Sequence, residues 1–282
     1  MKTAVGVLAS LVLIAVVSVV VVLHRGPGGI NLPALGPECT VSADGEVTLD
    51  SAQMANAATI AAVGVRRDMP EQAVVVALAT ALQESKLENL DGGDRDSVGL
   101  FQQRPSKGWG TVEQIKDPRY AAGKFYGALR KVKGWEKMRV TDAAQKVQRS
   151  AFPNAYEKWA DESRVLARAL LGKATGAVAC TVTGAPALRG AAAAAALMAG
   201  LKLDWGGKLD YASEETAGLT VSVSNTSSGW RYAHWLVSHA SATGLERVRF
   251  GNLEWHAPDG KWQKVTTDSG GDNGRVVAEV FS

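Results

Sequence analysis

Residues 73–82 read Ala73-Val74-Val75-Val76-Ala77-Leu78-Ala79-Thr80-Ala81-Leu82 and run straight into Gln83-Glu84-Ser85. Asp68-Met69-Pro70-Glu71 opens the segment, where a cap residue, an early proline and a returning acid mark a helix start. A helix that is apolar nearly all round is buried on every side, so this one predicts the centre of a helical domain. Glu84 continues the stripe of Ala77, Thr80 and Ala81 just past the apolar part. A carboxylate at that place combines an apolar frame with the negative end of the helix dipole, a setting in which it can serve as a general acid. The plainer alternative is a solvated glutamate at a helix end.

Further helix signals surround the segment. Asp50-Ser51-Ala52-Gln53 has a capping-box pattern, with Gly64 as the stop. Thr111 with Gln114, Asp117-Pro118 and Thr141 start others, and a last helix runs from Pro153 to Leu171 before Gly172. Cys39 and Cys180 lie one at each edge of this set, 141 positions apart. They read either as two separate buried thiols or, in an exported chain, as a disulfide tying the ends of one domain together. The bracket predicts an all-α or nearly all-α domain over 39–180. Gly172 to Pro186 then forms a small-residue linker.

The remainder, 186–282, predicts a small α+β domain. An Ala-rich helix passes through Ala191–Ala196, a strand covers Leu219–Ser224, and a helix lies around Trp230–Ala240. Strands follow at Arg247–Phe250, Leu253–His256, Trp262–Val265 and Arg275–Phe281, with Pro258-Asp259-Gly260 as a hairpin turn. The fold class expected for the whole chain is therefore α+β.

At the other end, Ala4–Leu23 is twenty residues without a charge, about the length that crosses a bilayer core. It exceeds the apolar run of a signal peptide and leaves through Val22-Leu23-His24-Arg25 with no small-x-small cleavage site. Residues 1–23 are expected to be an uncleaved single-pass anchor in the cytoplasmic membrane, a cleaved signal being the lesser reading. Residues 24–38, rich in proline and glycine, form a tether spanning on the order of 45 Å at most. Both folded domains then stand outside the cell membrane. The charge is nearly balanced, 31 basic against 28 acidic residues for a net of +3, so nothing argues for nucleic acid as a partner. Two cysteines are too few for a multi-cysteine zinc module.

Glu84-Ser85, a polar loop, and then Gly99-Leu100-Phe101-Gln102-Gln103-Arg104-Pro105 together resemble the lysozyme-like lytic transglycosylases. In that family a Glu-Ser pair ends a central helix and a Gly-Leu-Met-Gln segment follows about fifteen residues later; here Phe101 stands for the Met. Ala121-Ala122-Gly123-Lys124-Phe125-Tyr126 looks like the family's third motif. The similarity spans roughly 51–171, and its nearest type is the envelope proteins of high-GC Gram-positive bacteria. Gly93-Asp94-Arg95 is similar to goose-type lysozymes, which share the fold and use an aspartate there to position water. Asp94, with Asp96 behind it, is the matching second carboxylate; Asp91, Asp94 and Asp96 read equally well as a solvated turn. The fourth family motif, Ala-Tyr-Asn-x-Gly, has no recognisable Tyr-Asn pair in Gln148–Tyr156.

The resemblance implies cleavage of peptidoglycan glycan strands, with Glu84 protonating the glycosidic oxygen between N-acetylmuramic acid and N-acetylglucosamine. It implies Ser85 and Gln102 at the substrate, and Tyr126, Trp109 and Tyr156 as aromatics for sugar faces or as core. No metal and no cofactor are called for. Two other function classes compete: a degenerate lysozyme-fold protein that binds or scaffolds at the wall, and a zinc peptidase in the tail. Glu254-Trp255-His256 looks faintly like the last motif of such peptidases, but the upstream ligand pair is missing. His234, His239 and His256 read as core or surface residues, and Trp230, Trp235, Trp255 and Trp262 as core or as a face for an envelope protein partner.

Overall fold

A computed structural model describes residues 38–215, 217–265 and 272–282. The expected anchor (1–23) and all but the last residue of the tether lie outside them. Among the described residues no helix is long and apolar enough to cross a membrane.

The chain is α+β. Strands β1 (Glu38–Ser42) and β2 (Glu46–Asp50) lead into α1 (Ser51–Arg66) and α2 (Glu71–Ser85). Helices α3 (Val112–Lys116), α4 (Pro118–Leu129), α5 (Val140–Gln148) and α6 (Ala160–Leu170) follow, then β3 (Val178–Cys180). The remainder is α7 (Gly190–Trp205), β4 (Ala212–Glu215), β5 (Gly218–Ser222), α8 (Thr226–Ser238) and the short α9 (Ala240–Thr243). It ends with β6 (Leu245–Gly251), β7 (Leu253–His256), β8 (Lys261–Lys264) and β9 (Asp272–Val280).

Helix α2 is the hub. Every residue from Ala73 to Leu82 is buried, because α1, α4, α5 and α6 all pack around it. Asp50 caps α1 with the expected capping box to Gln53, and Thr111 caps α3 in the same way with Gln114. Gly64 does not end α1, which runs on to Arg66. A Cβ there would lie 2.8 Å from the Tyr126 hydroxyl and 2.9 Å from a Val74 methyl, so Gly64 is a close-packing position, not a stop. Nor does Asp68 cap α2. It sits at φ 53 and its carboxylate pairs with Lys208 at 2.7 Å instead.

The 39–180 region is not all-α, because β2-β1-β3 form a three-stranded antiparallel sheet. Its strands are short and alternate: Cys39 and Val41 point inward, and Val47 and Leu49 repeat the pattern. Cys39 and Cys180 are directly opposed in the β1–β3 register and form a disulfide. It closes the chain around all six preceding helices.

The second sheet runs β4-β5-β9-β6-β7-β8, antiparallel throughout, with Ala257–Gly260 turning β7 into β8. Helices α7 and α8 pack against it and also against α1. Trp230, Trp235 and Trp255 are buried in this layer and Trp262 is half-buried, so the tryptophans build core. Asp204, fully buried at the end of α7, accepts from Thr59 Oγ1 at 2.9 Å and Trp235 Nε1 at 2.7 Å, and pairs with Arg119. Thr59 and Arg119 belong to the first half of the chain, so a buried charge cluster spans the junction. His234 spans it too: Nδ1 donates to Ala169 O at 2.8 Å, while Nε2 accepts from Ala177 N at 2.9 Å.

Two measurements test this frame. The disulfide closes a loop of 141 residues, so Cys39→Ser with Cys180→Ser is expected to lower unfolding free energy by about 5 kcal/mol in the loop-entropy account. Denaturant titration of the oxidised parent and the double variant reads this directly. Burial pushes His234 down to about 4, so it stays neutral when folded while the unfolded chain takes up a proton below about 6.5. Its stabilisation is therefore complete above about pH 6.5 and declines, by about 1.4 kcal/mol per pH unit, as pH falls toward 4. Urea midpoints at pH 7 and pH 5 should show the drop in the parent and a flatter profile in His234→Gln.

Candidate active site

The site forms where α2 stops. Lys86 at φ 58 and Leu87 at φ 63 are consecutive left-handed residues, neither of them glycine, a costly arrangement that surrounding contacts must enforce. Helix α1 supplies them: Gln53 Nε2 donates to Lys86 O at 2.9 Å and Asn56 Nδ2 to Leu87 O at 2.8 Å. Leu87 is itself buried. The chain thus turns sharply right after Glu84-Ser85, and the position of Glu84 is fixed by the helix on one side and the turn on the other.

Glu84 is half-buried. Its Oε1 accepts from the Tyr156 hydroxyl at 2.7 Å and from Gln148 Nε2 at 3.1 Å. Gln148 also donates to Phe101 O at 2.8 Å, joining α5, the Gly99–Gln102 loop and the carboxylate. Oε2 has no hydrogen-bond partner among the described residues. Burial first, then the Glu84 carboxylate, raises the Tyr156 phenol well above its ordinary range, so Tyr156 acts here as a donor. The loop that carries it is pinned to α5: Thr141 donates its hydroxyl to Pro153 O at 2.6 Å and its amide to Glu157 Oε2 at 3.1 Å. Gln145 Nε2 donates to Ser150 O at 2.8 Å.

Several expected site residues are placed differently. Ser85 is buried, and its hydroxyl donates to Leu100 O at 2.8 Å; it fastens the loop to α2 rather than reaching a substrate. Tyr126 is fully buried with its hydroxyl on Ile60 O at 3.0 Å, which leaves no face for a sugar. Tyr156 is also fully buried and serves through its hydroxyl, not its ring. Trp109 is half-buried against the core. Gln102, at φ 45, folds back to Gly99 O at 3.1 Å. It lies so close over Gly93 that a Cβ there would be 1.6 Å from its Oε1. Phe101 is core, stacked on Phe125 with centroids 4.9 Å apart.

None of the loop aspartates shares a hydrogen bond or ion pair with the Glu84 cluster among the described residues. The Asp94 side chain is 89% exposed and reaches only Arg95, at 3.9 Å. Asp96 accepts from the Ser106 backbone at 2.8 Å and from Arg104 Nε at 2.7 Å. The Ser106 amide above all, then Arg104, holds its carboxyl well below the usual range. Asp91 pairs with Lys116. Gln148 was the residue that sequence reading missed, and only the helix length through 148 could have signalled it.

Two cavities lie elsewhere, one of about 260 Å³ beside Trp205 and Tyr232 and one of about 860 Å³ between the β1–β2 hairpin and α6. Several of their acids are neutralised by surface bases: Asp68 by Lys208, Asp44 by Arg168, Glu71 by Lys173 and Asp161 by Arg164. Glu84 differs from these acids: it has two hydrogen-bond donors and, among the described residues, no basic partner. In the tail, Glu254 is buried, pairing with Arg249 at 2.8 Å and hydrogen-bonded to His256 at 2.7 Å, so both the Glu254 and the His256 side chains are engaged internally. No group of His, Cys, Asp or Glu among the described residues is arranged to hold a metal.

No protein family and no curated protein matches the chain in sequence. Ser85→Ala would leave Leu100 O buried without a donor and is expected to cost about 1–3 kcal/mol of stability. Asp94→Asn, at an exposed side chain, should stay within about 0.5 kcal/mol. Equal losses in urea unfolding would contradict the roles given to the two residues.

Proposed function

We propose that the chain is a membrane-tethered, extracytoplasmic enzyme that cleaves the glycan strands of peptidoglycan, with Glu84 as general acid on a lysozyme-like helical fold. The observation that carries the reading is the seat of Glu84: two neutral donors fix Oε1 while Oε2 has no hydrogen-bond partner among the described residues. A carboxyl group held by one oxygen can present a proton from the other in a constant direction.

Glu84 gives its proton to the glycosidic oxygen as the bond to the anomeric carbon breaks, and the leaving sugar departs with a free 4-hydroxyl. In the transglycosylase course the acetamido group assists at the anomeric carbon and the muramic 6-hydroxyl then closes on it. The proton of that hydroxyl returns to Glu84, so one carboxyl serves both steps. An inverting hydrolase needs a second carboxylate with room for water between the two. The exposure of Asp94 and the tight pairing of Asp96 favour the course with one acid.

Glu84→Gln is expected to slow release of soluble fragments from purified peptidoglycan by about 10²-fold or more. Mass analysis of parent digests should find 1,6-anhydro ends. A variant digesting as fast as the parent would overturn the assignment. A parent that binds wall glycan without cutting it would instead favour a scaffold that kept the fold after losing turnover.

A further inference from the structure

Beside Gln83, one residue before Glu84, the surface holds two lysine ammonium groups with no anionic partner among the described residues. Trp159 donates its indole Nε1 to Gln83 Oε1 at 3.0 Å, one residue before the acid. The Lys86 ammonium stands 3.8 Å from the centroid of that indole and the Lys158 ammonium 5.2 Å from it. Lys116, Lys173 and Lys208 pair with carboxylates, and most other described lysines, Lys107 and Lys124 among them, do not; what sets Lys86 and Lys158 apart is that both stand at one indole. Lys86 and Lys158 pair with none among the described residues. Of the acids near them in sequence, Glu84 is held by Tyr156 and Gln148 and Glu157 by the Thr141 amide, while Glu88 and Glu162 pair with neither lysine.

Each ammonium group is attracted to the ring face, while the two repel one another. Burial first, then the charge of Lys158, lowers the Lys86 ammonium below its ordinary range. The arrangement is also pinned rather than fortuitous. Lys86 is the left-handed residue whose carbonyl is held by Gln53, and the Trp159 indole is anchored by its hydrogen bond to Gln83. A ring offers its face to cations and to C–H groups, and two ammonium groups offer charge-assisted donors to a carboxylate.

We propose that Trp159, Lys86 and Lys158 form a subsite for a carboxylate borne by the glycan, so that the site selects acidic strands over neutral N-acetylated ones. The inference rests on the glycan-cleaving reading of Glu84. The carboxylate has two sources of the same chemistry: the lactyl ether of a peptide-free muramic acid, or the stem peptide attached to it.

The test is calorimetric binding to the full chain in detergent, with Glu84→Gln as common background so that nothing is cut. The probes are chitotetraose, a peptide-free tetrasaccharide with free lactyl carboxylates, and the same tetrasaccharide carrying stem peptides. Adding Lys86→Gln and Lys158→Gln should weaken at least one acidic probe by about tenfold or more and leave chitotetraose unchanged. Which acidic probe suffers identifies the source of the carboxylate. Lys86→Arg with Lys158→Arg should retain the preference, and matching thermal midpoints show that all variants fold. The proposal is overturned if the glutamine pair binds all three probes as the background does, or loses chitotetraose equally; the glycan reading survives either result. A background protein that binds none of the probes defeats that reading and this subsite with it.

Discussion

Ten consecutive residues with no route to solvent, Ala73–Leu82, constrain everything else in this molecule. A helix buried on all sides cannot exist without a shell, and α1, α4, α5 and α6 are that shell. The shell must open somewhere for the chain to leave, and it opens at the C-terminal end of α2. There Lys86 and Leu87 turn left-handed under bonds from Gln53 and Asn56. The first polar side chains after the apolar run therefore meet the ends of α5 and of two loops at one point. Glu84 is poised by the same packing that makes the core, and its hydrogen-bond donors come from segments 64 and 72 positions away.

The two halves of the chain are not independent beads. Asp204 gathers Thr59, Arg119 and Trp235 in a fully buried cluster, and His234 ties Ala169 and Ala177 to α8. Removing one member of such a cluster strands the others without water, which makes it a strong constraint on how the parts fit even where its net stabilisation is small. The six-stranded sheet thereby buttresses α1, and α1 holds the turn after Glu84. A structural role for the tail follows from these bonds.

Much of the fold was legible in the sequence wherever local signals act alone. The capping boxes at Asp50 and Thr111, the early proline at Asp117-Pro118, the Leu253–His256 strand and the turn after it are set by residues within a few positions of one another. Signals failed where a distant contact took over. Asp68 left its cap for Lys208, Gly64 served the packing of Tyr126 and Val74, and β1 paired with a strand that reads as linker. The site divides in the same way. The place of Glu84 at the end of the buried helix is readable because its own helix marks it, but the proposed stacking aromatics are not separable from core by type. Tyr126 and Tyr156 proved to be buried, with only the Tyr156 hydroxyl directed at the acid. Gln148 carries no local sign of its role, since its partners are Glu84 and Phe101.

The central claim is that Glu84 Oε1 is held so that Oε2 faces the bond to be broken. A crystal structure of Glu84→Gln bound to a muramic-acid-containing tetrasaccharide tests it directly. The account predicts the scissile glycosidic oxygen within about 3 Å of the atom that replaces Oε2, with Tyr156 and Gln148 still on the other oxygen. A saccharide seated away from α2, or a side chain turned so that Tyr156 and Gln148 no longer hold it, would contradict it.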